Sequence, residues 1–436
     1  MKFYNRKKEL ALLQKADRLK KKHSIFTMVI GRRRVGKTTL LLQPFHEDKK
    51  IYLFVSKKDE HLLVAEFMDI LSYELDIPYF GEIKSFEKFF EYVMYVAAKE
   101  PFTLIFDEFQ ELGKINSSIY ATIQKIWDKN KKKSNLHFIA CGSVYSLMKK
   151  TFEDLHEPLF GRVDLKIDLK PFQVSVLDEI LADYNKKTPK NLLDFYTLTG
   201  GVAKYIELFL LHESFDFETM LDVIIDEHSL FLDEGKNRLI EEFGKEYTTY
   251  FSILSLIASS KTSRTEIESI LERNISGHLA RLENDYNIIK SIKPIGAKPS
   301  SKVQKYEIVD NFLAFWFRFI FKYQSFIEAK NFTKLKEIIK RDFSIFQGKM
   351  LEKLFIEILK EQEIYTAIGS YWERGNKNEI DIVAVDEVNK KLLLCEVKLN
   401  KDKLNLNVLK KKATKLLQKY KGFEVDYKLL SLEDIH

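Results

Sequence analysis

The chain has 436 residues, of which 45% are hydrophobic, 13% aromatic and 31% charged. This composition is typical of a globular protein of about three domains, and it excludes disordered, collagenous and disulfide-scaffold classes. The 71 Lys and Arg residues outnumber the 64 Asp and Glu residues, which gives a net charge of +7. So mild an excess does not by itself identify a partner such as nucleic acid.

The cysteines and the hydropathy pattern indicate in which cellular compartment the protein is expected. The two cysteines, Cys141 and Cys395, lie in apolar runs that predict buried strands, which excludes a disulfide framework and a cysteine-based metal site. The N-terminal residues are charged and lack the apolar core of a secretory signal. The most apolar stretch, Phe312 to Phe321, contains Arg318 and is far shorter than the roughly 20 residues of a membrane span. We expect a cytoplasmic protein without a membrane span.

The first part of the chain alternates between predicted strands and helices. Apolar runs at Ser24 to Ile30, Ile51 to Val55, Phe102 to Phe106 and His137 to Cys141 predict strands. Helical patterns at Glu60 to Leu75 and Phe86 to Ala98 lie between them. This alternation is typical of the α/β class with a parallel, doubly wound sheet.

A glycine-containing turn joins the first predicted strand to a helical run. The turn matches the pattern G-x-x-x-x-G-K-[ST] with Gly31, Arg32, Arg33, Arg34, Val35, Gly36, Lys37 and Thr38, and Thr39 follows in the helix. In such a loop the backbone N–H groups surround nucleotide phosphates, the lysine contacts the β and γ phosphates, and the hydroxyl binds Mg²⁺. The pattern predicts a phosphate-binding loop.

Polar residues follow two other predicted strands. Asp107 ends the strand Phe102 to Phe106 and is of the type that holds the Mg²⁺ hydration shell, and Glu108 is of the type that activates water. Ser143 ends the next strand, where a hydroxyl can contact the γ-phosphate or the attacking water. These residues predict ATP and Mg²⁺ as ligands. The alternatives are a capping pair for Asp107 and Glu108, and a turn serine for Ser143.

Helical periodicity dominates from Phe172 to about Leu232 and predicts a helical lid. Three helical patterns between Tyr250 and Asp285 and two β-like runs, Ile288 to Ile292 and Lys305 to Val309, then follow in the order of a winged helix. Basic residues in the recognition helix and wing would contact DNA phosphates, and the alternative is a lid that only packs. These residues are His278, Arg281, Lys298 and Lys302.

The last part of the chain predicts a second sheet with its own polar cluster. Helical patterns at Lys334 to Lys340 and Gly348 to Lys360 precede strands at Tyr365 to Gly369, Glu379 to Val385 and Lys391 to Val397, and a basic helix, Leu404 to Tyr420, follows. Asp381 lies on one strand, and Glu396 and Lys398 share one face of the next. Two such carboxylates can hold a divalent ion beside a lysine that stabilises phosphate charge.

This D…E-x-K pattern is that of the restriction-endonuclease-like nucleases, which also carry an upstream helical glutamate, matched here by Glu352. The pattern predicts a Mg²⁺-dependent nuclease site of Glu352, Asp381, Glu396 and Lys398. The alternatives are a charged strand edge and, for Glu352, a solvated helix residue.

The chain resembles archaeal and bacterial P-loop ATPases, intermediate between the AAA+ and STAND classes, that carry a DUF234-type, restriction-endonuclease-like C-terminal domain. The resemblance lies in Phe3, Arg6, Glu9 and Leu10, in the loop Gly31 to Thr38, in Phe106 to Gln110, in Cys141 to Ser143, in Gly161 and Arg162, in Leu169 to Phe172, and in Asp310 to Phe319. It implies that Arg162 reaches a γ-phosphate in the same chain or in a second copy; the alternative is a surface arginine. The family's Gly-Gly-Val-Pro segment is Gly200 to Ala203 here, with alanine in place of proline, and Lys204 is a weaker candidate.

The sequence thus predicts four domains: an ATPase core over 1–165, a helical lid over 166–240, a winged helix over 241–310 and a nuclease-like domain over 311–436. We expect an ATPase coupled to a metal-dependent DNA nuclease, with DNA as the partner and a homo-oligomer if Arg162 acts between copies. One alternative is an ATP-driven switch that binds DNA or a protein without cleavage. A helicase-like motor is less favoured, because accessory helicase motifs are missing from the sequence.

Overall fold

The computed structural model describes residues 2–44, 49–78, 82–298, 300–301 and 303–435. The described chain divides into two compact units. The N-terminal unit is Asn5–Lys170, and the C-terminal unit begins at Pro171 and also includes the first residues through Tyr4. No helix of the described ranges is long and apolar enough to span a membrane.

The N-terminal unit is built on a sheet of parallel strands. The strands are β1 (Ile25–Ile30), β2 (Lys50–Phe54), β3 (Phe102–Asp107), β4 (Leu136–Gly142) and β5 (Leu165–Asp168), in the order β2-β3-β4-β1-β5. Strands β1, β3 and β4 are buried along their whole length, which explains their continuous apolar runs. The predicted parallel α/β sheet is therefore confirmed.

Helices surround this sheet. They are α1 (Lys7–Leu19), α2 (Lys37–Leu42), α3 (Glu60–Leu75), α4 (Phe86–Ala97), α5 (Leu112–Ile115), α6 (Ile119–Asn130) and α7 (Tyr145–Glu153). An apolar core rich in phenylalanine, with Phe26, Phe106 and Phe138 at its centre, fills the space between sheet and helices. Because the strands are parallel, the ends of β1, β3 and β4 place the loop after Ile30, Asp107 and Ser143 at one edge.

The C-terminal unit begins with helices and a short hairpin. The helices are α8 (Val174–Asp183), α9 (Pro189–Thr199), α10 (Ala203–Leu211), α11 (Phe217–Ile224), α12 (Leu230–Phe243), α13 (Tyr247–Ala258), α14 (Arg264–Leu271) and α15 (Ser276–Ala280). A π-helical turn, Arg281–Asp285, follows, and then the antiparallel hairpin of β6 (Ile289–Ile292) and β7 (Lys305–Ile308). The element order predicted for this region is present.

The two helices that the sequence predicts on either side of Phe343 form a single helix in the structure. After α16 (Asn311–Phe315), the π-helical Trp316–Phe321 and α17 (Gln324–Glu328), a single helix α18 covers Phe332–Glu361. Gly348 lies inside it, and no atom lies within 4 Å of the position that a Cβ would occupy there. The glycine therefore weakens the helical pattern of the sequence without interrupting the helix.

The unit ends in a separate mixed sheet, as predicted. Its strands are β8 (Ala367–Glu373), β9 (Lys377–Asp386), β10 (Lys391–Val397) and β11 (Glu424–Leu430), in the order β11-β10-β9-β8. The pairs β8·β9 and β9·β10 are antiparallel, and β10·β11 is parallel because the helix α19 (Leu406–Leu417) connects them. The predicted strand Tyr365 to Gly369 begins and ends later, and β11 is a strand that the sequence analysis missed.

Candidate nucleotide site and carboxylate site

The loop between β1 and α2 has the backbone that its glycines permit. A Cβ on Gly31 would lie 2.6 Å from the carbonyl oxygen of Leu169, so only glycine fits. Gly36 has a φ of 93°, in the left-handed region, and precedes the first residue of α2. The Nζ of Lys37 donates to the carbonyl oxygens of Gly31 and Arg32, each at 2.9 Å. The lysine head therefore lies at the loop whose N–H groups would surround phosphates.

Asp107 is the acceptor for two hydroxyls beside this loop. Its Oδ2 accepts from Thr38 Oγ1 at 2.9 Å and from Tyr52 Oη at 2.5 Å. Thr38 and Asp107 are thus oxygen donors in direct contact, a donor set that fits Mg²⁺. The sequence analysis missed Tyr52, which lies on β2, because a lone tyrosine on an apolar strand is usually a packing residue.

Glu108 adopts a strained backbone conformation and faces Ser143. Its φ is 55°, which is uncommon for a residue with a side chain. Its Oε2 accepts from Ser143 Oγ at 2.8 Å and from the amide of Gln110. Arg33 Nε donates to the same serine oxygen at 3.5 Å. The structure therefore brings Glu108, Ser143 and an arginine of the loop together, as the predicted site requires.

The remaining loop residues have distinct environments. Val35 is buried, Arg34 and Thr39 are exposed, and Arg32 is partly exposed. The buried Arg6 holds the loop from outside: one guanidinium nitrogen donates to the carbonyl oxygens of Val35 at 3.3 Å and Lys170 at 2.8 Å. Arg6 thus connects the loop to the residue at which the chain leaves the N-terminal unit.

Arg162 lies away from this site. Its guanidinium contacts Asp128 Oδ2 at 3.1 Å and the carbonyl oxygen of Phe160 at 2.7 Å. Two residues later, Asp164 accepts from the backbone N–H of Phe26, near the start of β1. Gly31 follows the other end of β1, and the strand separates it from Phe26 by roughly 16 Å. The structure does not bring Arg162 to the loop of its own chain.

The C-terminal sheet brings three predicted residues together. Asp381 Oδ2 accepts from the backbone N–H of Val397 at 2.8 Å and from Lys398 Nζ at 3.0 Å. The same Nζ lies 3.2 Å from Glu396 Oε1. Both carboxylates are largely buried. A single cationic nitrogen thus lies between two carboxylates from neighbouring strands.

Lys412 also belongs to this cluster. Its Nζ donates to both oxygens of Glu396, each at 2.8 Å, from the helix α19. From the sequence, the basic cluster Lys410 to Lys412 in this helix is either a contact to nucleic-acid phosphates or a solvated surface, and nothing in the spacing assigns Lys412 to the carboxylate site.

Glu352 on α18 interacts electrostatically with this cluster. Burial, together with the negative charge of Asp381, raises the pKa of Glu352 to about 8. Burial likewise raises the pKa of Asp381. Burial lowers the pKa of Lys398, but the carboxylates of Asp381 and Glu396 raise it by more, so the pKa lies above its ordinary value. The four predicted residues therefore form one electrostatic unit.

Both carboxylates converge on the positive charge of Lys398 Nζ, and a divalent cation could take that position only if the lysine moved. Within the described ranges, no three His, Cys, Asp or Glu side chains form a ready metal cluster. Asp381 and Glu396 would thus supply two ligands, and water and phosphate oxygens the others, as Mg²⁺ commonly accepts.

Other residues singled out in the sequence have structural partners. Arg281 contacts Glu246 at 2.6 Å, and His278 Nε2 lies 4.0 Å from the same carboxylate. Lys204 pairs with Glu207 at 2.8 Å. A Cβ on Gly201 would lie 2.2 Å from the carbonyl oxygen of Phe172, so the glycine pair serves close packing. Lys298 is exposed, and Lys302 lies outside the described residues.

Solved structures share the fold of about three quarters of the chain. A Walker-type ATPase of Pyrococcus abyssi has a TM-score of 0.55 and 19% identity, over 72% of this chain and 96% of that chain. The ORC2 protein of Aeropyrum pernix, solved in ADPNP and ADP complexes, has a TM-score of 0.50 and 15% identity, over 74% of this chain and 94% of that one. Both likenesses concern the fold.

Sequence comparison extends the relationship to the whole chain. An uncharacterised protein of Methanocaldococcus jannaschii is 30% identical over 405 residues, which are 91% of this chain and 87% of that protein. Residues 3–209 match the family described as an ATPase domain predominantly from Archaea, and residues 316–416 match DUF234, described as archaeal and bacterial proteins of unknown function. The chain therefore belongs to the family of P-loop ATPases in which this archaeal ATPase domain is followed by a DUF234 region.

Proposed function

We propose that the protein is an ATP-dependent DNA-processing enzyme, in which the ATPase controls a metal-dependent phosphodiesterase in the C-terminal unit. The observation that carries the second activity is the convergence of Asp381 and Glu396 on Lys398 Nζ, at 3.0 and 3.2 Å. Buried carboxylates that converge on one cation favour a metal and phosphate site over a charged strand edge.

In the nucleotide site, the chain's residues divide the work of hydrolysis. The loop N–H groups and Lys37 would bind the phosphates of ATP, and Thr38 and Asp107 would hold Mg²⁺, which neutralises phosphate charge when it is bound. Glu108 would accept a proton from the attacking water. Its hydrogen bond from Ser143 orients the carboxylate, and Arg33, which donates to the same serine, would sense the γ-phosphate.

In the carboxylate site, Asp381 and Glu396 would hold the divalent cation, which lowers the pKa of a bound water and polarises a phosphate oxygen when present. The ammonium groups of Lys398 and Lys412 would then exchange carboxylate oxygens for the oxygens of a phosphodiester. Glu352, with its raised pKa, can hold or release a proton beside Asp381. The domain that carries these residues is proposed to be restriction-endonuclease-like.

Helices α13 to α15 and the hairpin β6·β7 have the element order of a winged helix, and we assign them to DNA contact or to the support of it. Coupling between the activities would begin at Arg6, since it bonds to both the phosphate loop and Lys170, after which the chain enters the C-terminal unit. A change at the loop on nucleotide binding would alter both bonds.

The test is cleavage of plasmid and single-stranded DNA by the full chain, with Mg²⁺ or Mn²⁺, with and without ATP. Asp381→Asn and Lys398→Ala should abolish cleavage and keep ATP hydrolysis. Lys37→Ala should remove ATP hydrolysis and the dependence of cleavage on ATP. Lys390→Ala is the matched control, since Lys390 lies in the turn at the other end of β9. Cleavage that survives in Asp381→Asn would refute the assignment.

A second function is favoured by Lys412, whose two bonds to Glu396 satisfy that carboxylate without a metal. In this case ATP switches the conformation of a protein that binds DNA, or a protein partner, and does not cut. A slow ATPase, no cleavage under any condition and DNA binding unchanged in Asp381→Ala would support the switch.

A further inference from the structure

A groove of about 340 Å³ lies between the loop after β6 and the edge strand β8. The backbone N–H of Ile295 donates to the carbonyl oxygen of Ser370 at 2.9 Å, so the loop adds to the free edge of the sheet. Lys305 pairs with Glu379 at 2.8 Å, and its ammonium lies 4.5 Å from the ring centre of Trp372. These contacts fix Ile295 and Lys305, near the two ends of the loop, against the sheet, and the groove is therefore a built feature of the C-terminal unit.

The groove is strongly cationic. Its walls carry Lys298, Arg374, Lys415 and Lys419 against one carboxylate, Glu373. Lys415 pairs with Glu373 at 3.1 Å, and Lys419 donates to the carbonyl oxygen of Gly296 at 2.9 Å. In the part of the chain that the structure describes, Lys298 and Arg374 form no ion pair. So much uncompensated positive charge in a concave site favours an anionic ligand.

One helix face connects the groove to the carboxylate site. Lys412, Lys415 and Lys419 recur at positions i, i+3 and i+7, a spacing that places side chains on one face of α19 and the turn after it. Lys412 bonds to Glu396, and the other two lysines line the groove. The row extends roughly 10 Å along the helix axis. A strand that follows these lysines would lead directly from the groove to Glu396.

We propose that the groove binds a single nucleic-acid strand beside the phosphodiester presented to Asp381 and Glu396. The cations contact phosphates, and the apolar wall around Ile295 contacts a sugar or base. The volume is at the lower end of small-ligand pockets and suits about one nucleotide, not a duplex. This inference rests on the proposed function, since it defines the substrate path to the same site.

The test measures binding, with EDTA present, so that cleavage plays no part. The affinity for a labelled oligothymidylate is measured by fluorescence anisotropy for three proteins. They are the wild-type chain, a double variant that combines Lys298→Ala and Arg374→Ala, and a control double variant that combines Lys390→Ala and Lys391→Ala at the far end of β9. Loss of two phosphate contacts should weaken binding at least about tenfold at 0.1 M salt, and should lower the slope of log Kd against log salt by about 1.4. The control should match the wild type.

The outcomes separate this inference from the proposed function. If the double variant loses single-strand affinity while no condition gives cleavage, the groove is retained and the nuclease is refuted. If the wild type cleaves DNA but the double variant keeps both its affinity and its salt slope, the groove is refuted and the nuclease is retained. Loss of duplex binding with unchanged binding of the oligothymidylate would also overturn the single-strand assignment.

Discussion

The two polar sites of this molecule hold their carboxylates in opposite ways. In the N-terminal unit, Asp107 and Glu108 accept hydrogen bonds from neutral groups, which include the hydroxyls of Thr38, Tyr52 and Ser143. In the C-terminal unit, Asp381 and Glu396 contact the ammonium groups of Lys398 and Lys412. Neutral partners orient a carboxylate and leave its charge available for a cation, whereas ammonium groups already compensate that charge.

This difference has a chemical consequence. In the nucleotide site, the side-chain hydrogen bonds to Asp107 described above come from hydroxyl groups, and Mg²⁺ bound with ATP would meet that carboxylate beside Thr38. The carboxylate site would have to move two lysines before a metal could bind, and a phosphodiester would provide the oxygens to which they move. On this view the second site is closed until substrate arrives.

The largest expected effect is at Glu108. Glu108→Gln removes the proton acceptor but keeps the hydrogen bond from Ser143, so ATP hydrolysis should fall by about 10² to 10⁴ fold. ATP binding should remain. Phosphate release and binding of a fluorescent nucleotide measure the two quantities. The exposed Glu100, on the same unit, supplies the control Glu100→Gln. A fall in both binding and hydrolysis would mean that Glu108 supports the fold of the loop instead.

The next largest effect is expected for a substitution of Asp17, which should lower the free energy of unfolding. Burial alone would raise the pKa of Asp17, but hydrogen bonds with His137 and Lys20 and the charge of Lys20 lower it to about 2. Lys20 is completely buried, so Asp17→Asn removes the carboxylate that is paired with its charge and should cost about 3 to 5 kcal/mol.

The pH dependence has a definite sign. Because the folded pKa of Asp17 lies below the unfolded value near 4, its contribution is present above pH 4 and is lost as the pH falls toward 2, by roughly 2 kcal/mol. Hydrogen exchange of peptides from β1 and β3 would measure it. The exposed Asp76→Asn is the control. An Asp17→Asn variant with the acid sensitivity of the wild type would contradict the assignment.

A substitution of Lys412 tests directly whether the lysines keep the carboxylate site closed to a metal. Lys412→Gln leaves the largely buried Glu396 with one cationic partner, and should lower the free energy of unfolding by about 1 to 3 kcal/mol in metal-free buffer. Removal of a competing cation should also strengthen metal binding, so Mn²⁺ should raise Tm more in the variant than in the wild type. Lys411→Ala, at the exposed neighbouring position, is the control. Equal shifts with Mn²⁺ would show that Lys412 does not compete with a metal.

The sequence predicted the two sites unequally well, because contacts between residues close together in the chain can be predicted and contacts between distant residues cannot. The phosphate loop is local: Gly31 to Thr38 determines its own backbone, and the buried strands around it have continuous apolar runs. Tyr52, Arg6 and Lys412 act across many residues, and no spacing relates them to Asp107, Val35 and Glu396. The strand β11 was missed because its residues are only partly buried or exposed and carry an even mixture of polar and apolar side chains. The helix α18 was predicted as two helices because no helical pattern was recognised over residues 341–347.

Arg162 should give the smallest effect in dilute solution. Its pairing with Asp128, at the edge of the sheet opposite the phosphate loop, leaves it outside the nucleotide site of its own chain. Arg162→Ala should therefore change ATP hydrolysis less than about twofold in a monomer, since an exposed ion pair contributes little. Hydrolysis per chain, measured across a hundredfold range of protein concentration, distinguishes the two roles implied by the resemblance. If wild-type hydrolysis rises with concentration and the Arg162→Ala rate does not, the arginine acts on the nucleotide of a second copy, and the site is complete only in an oligomer. If both rates are flat, the partners that Asp107 and Glu108 have within one chain suffice for hydrolysis, and the contrast with the lysine-bound carboxylate site is a contrast within one chain.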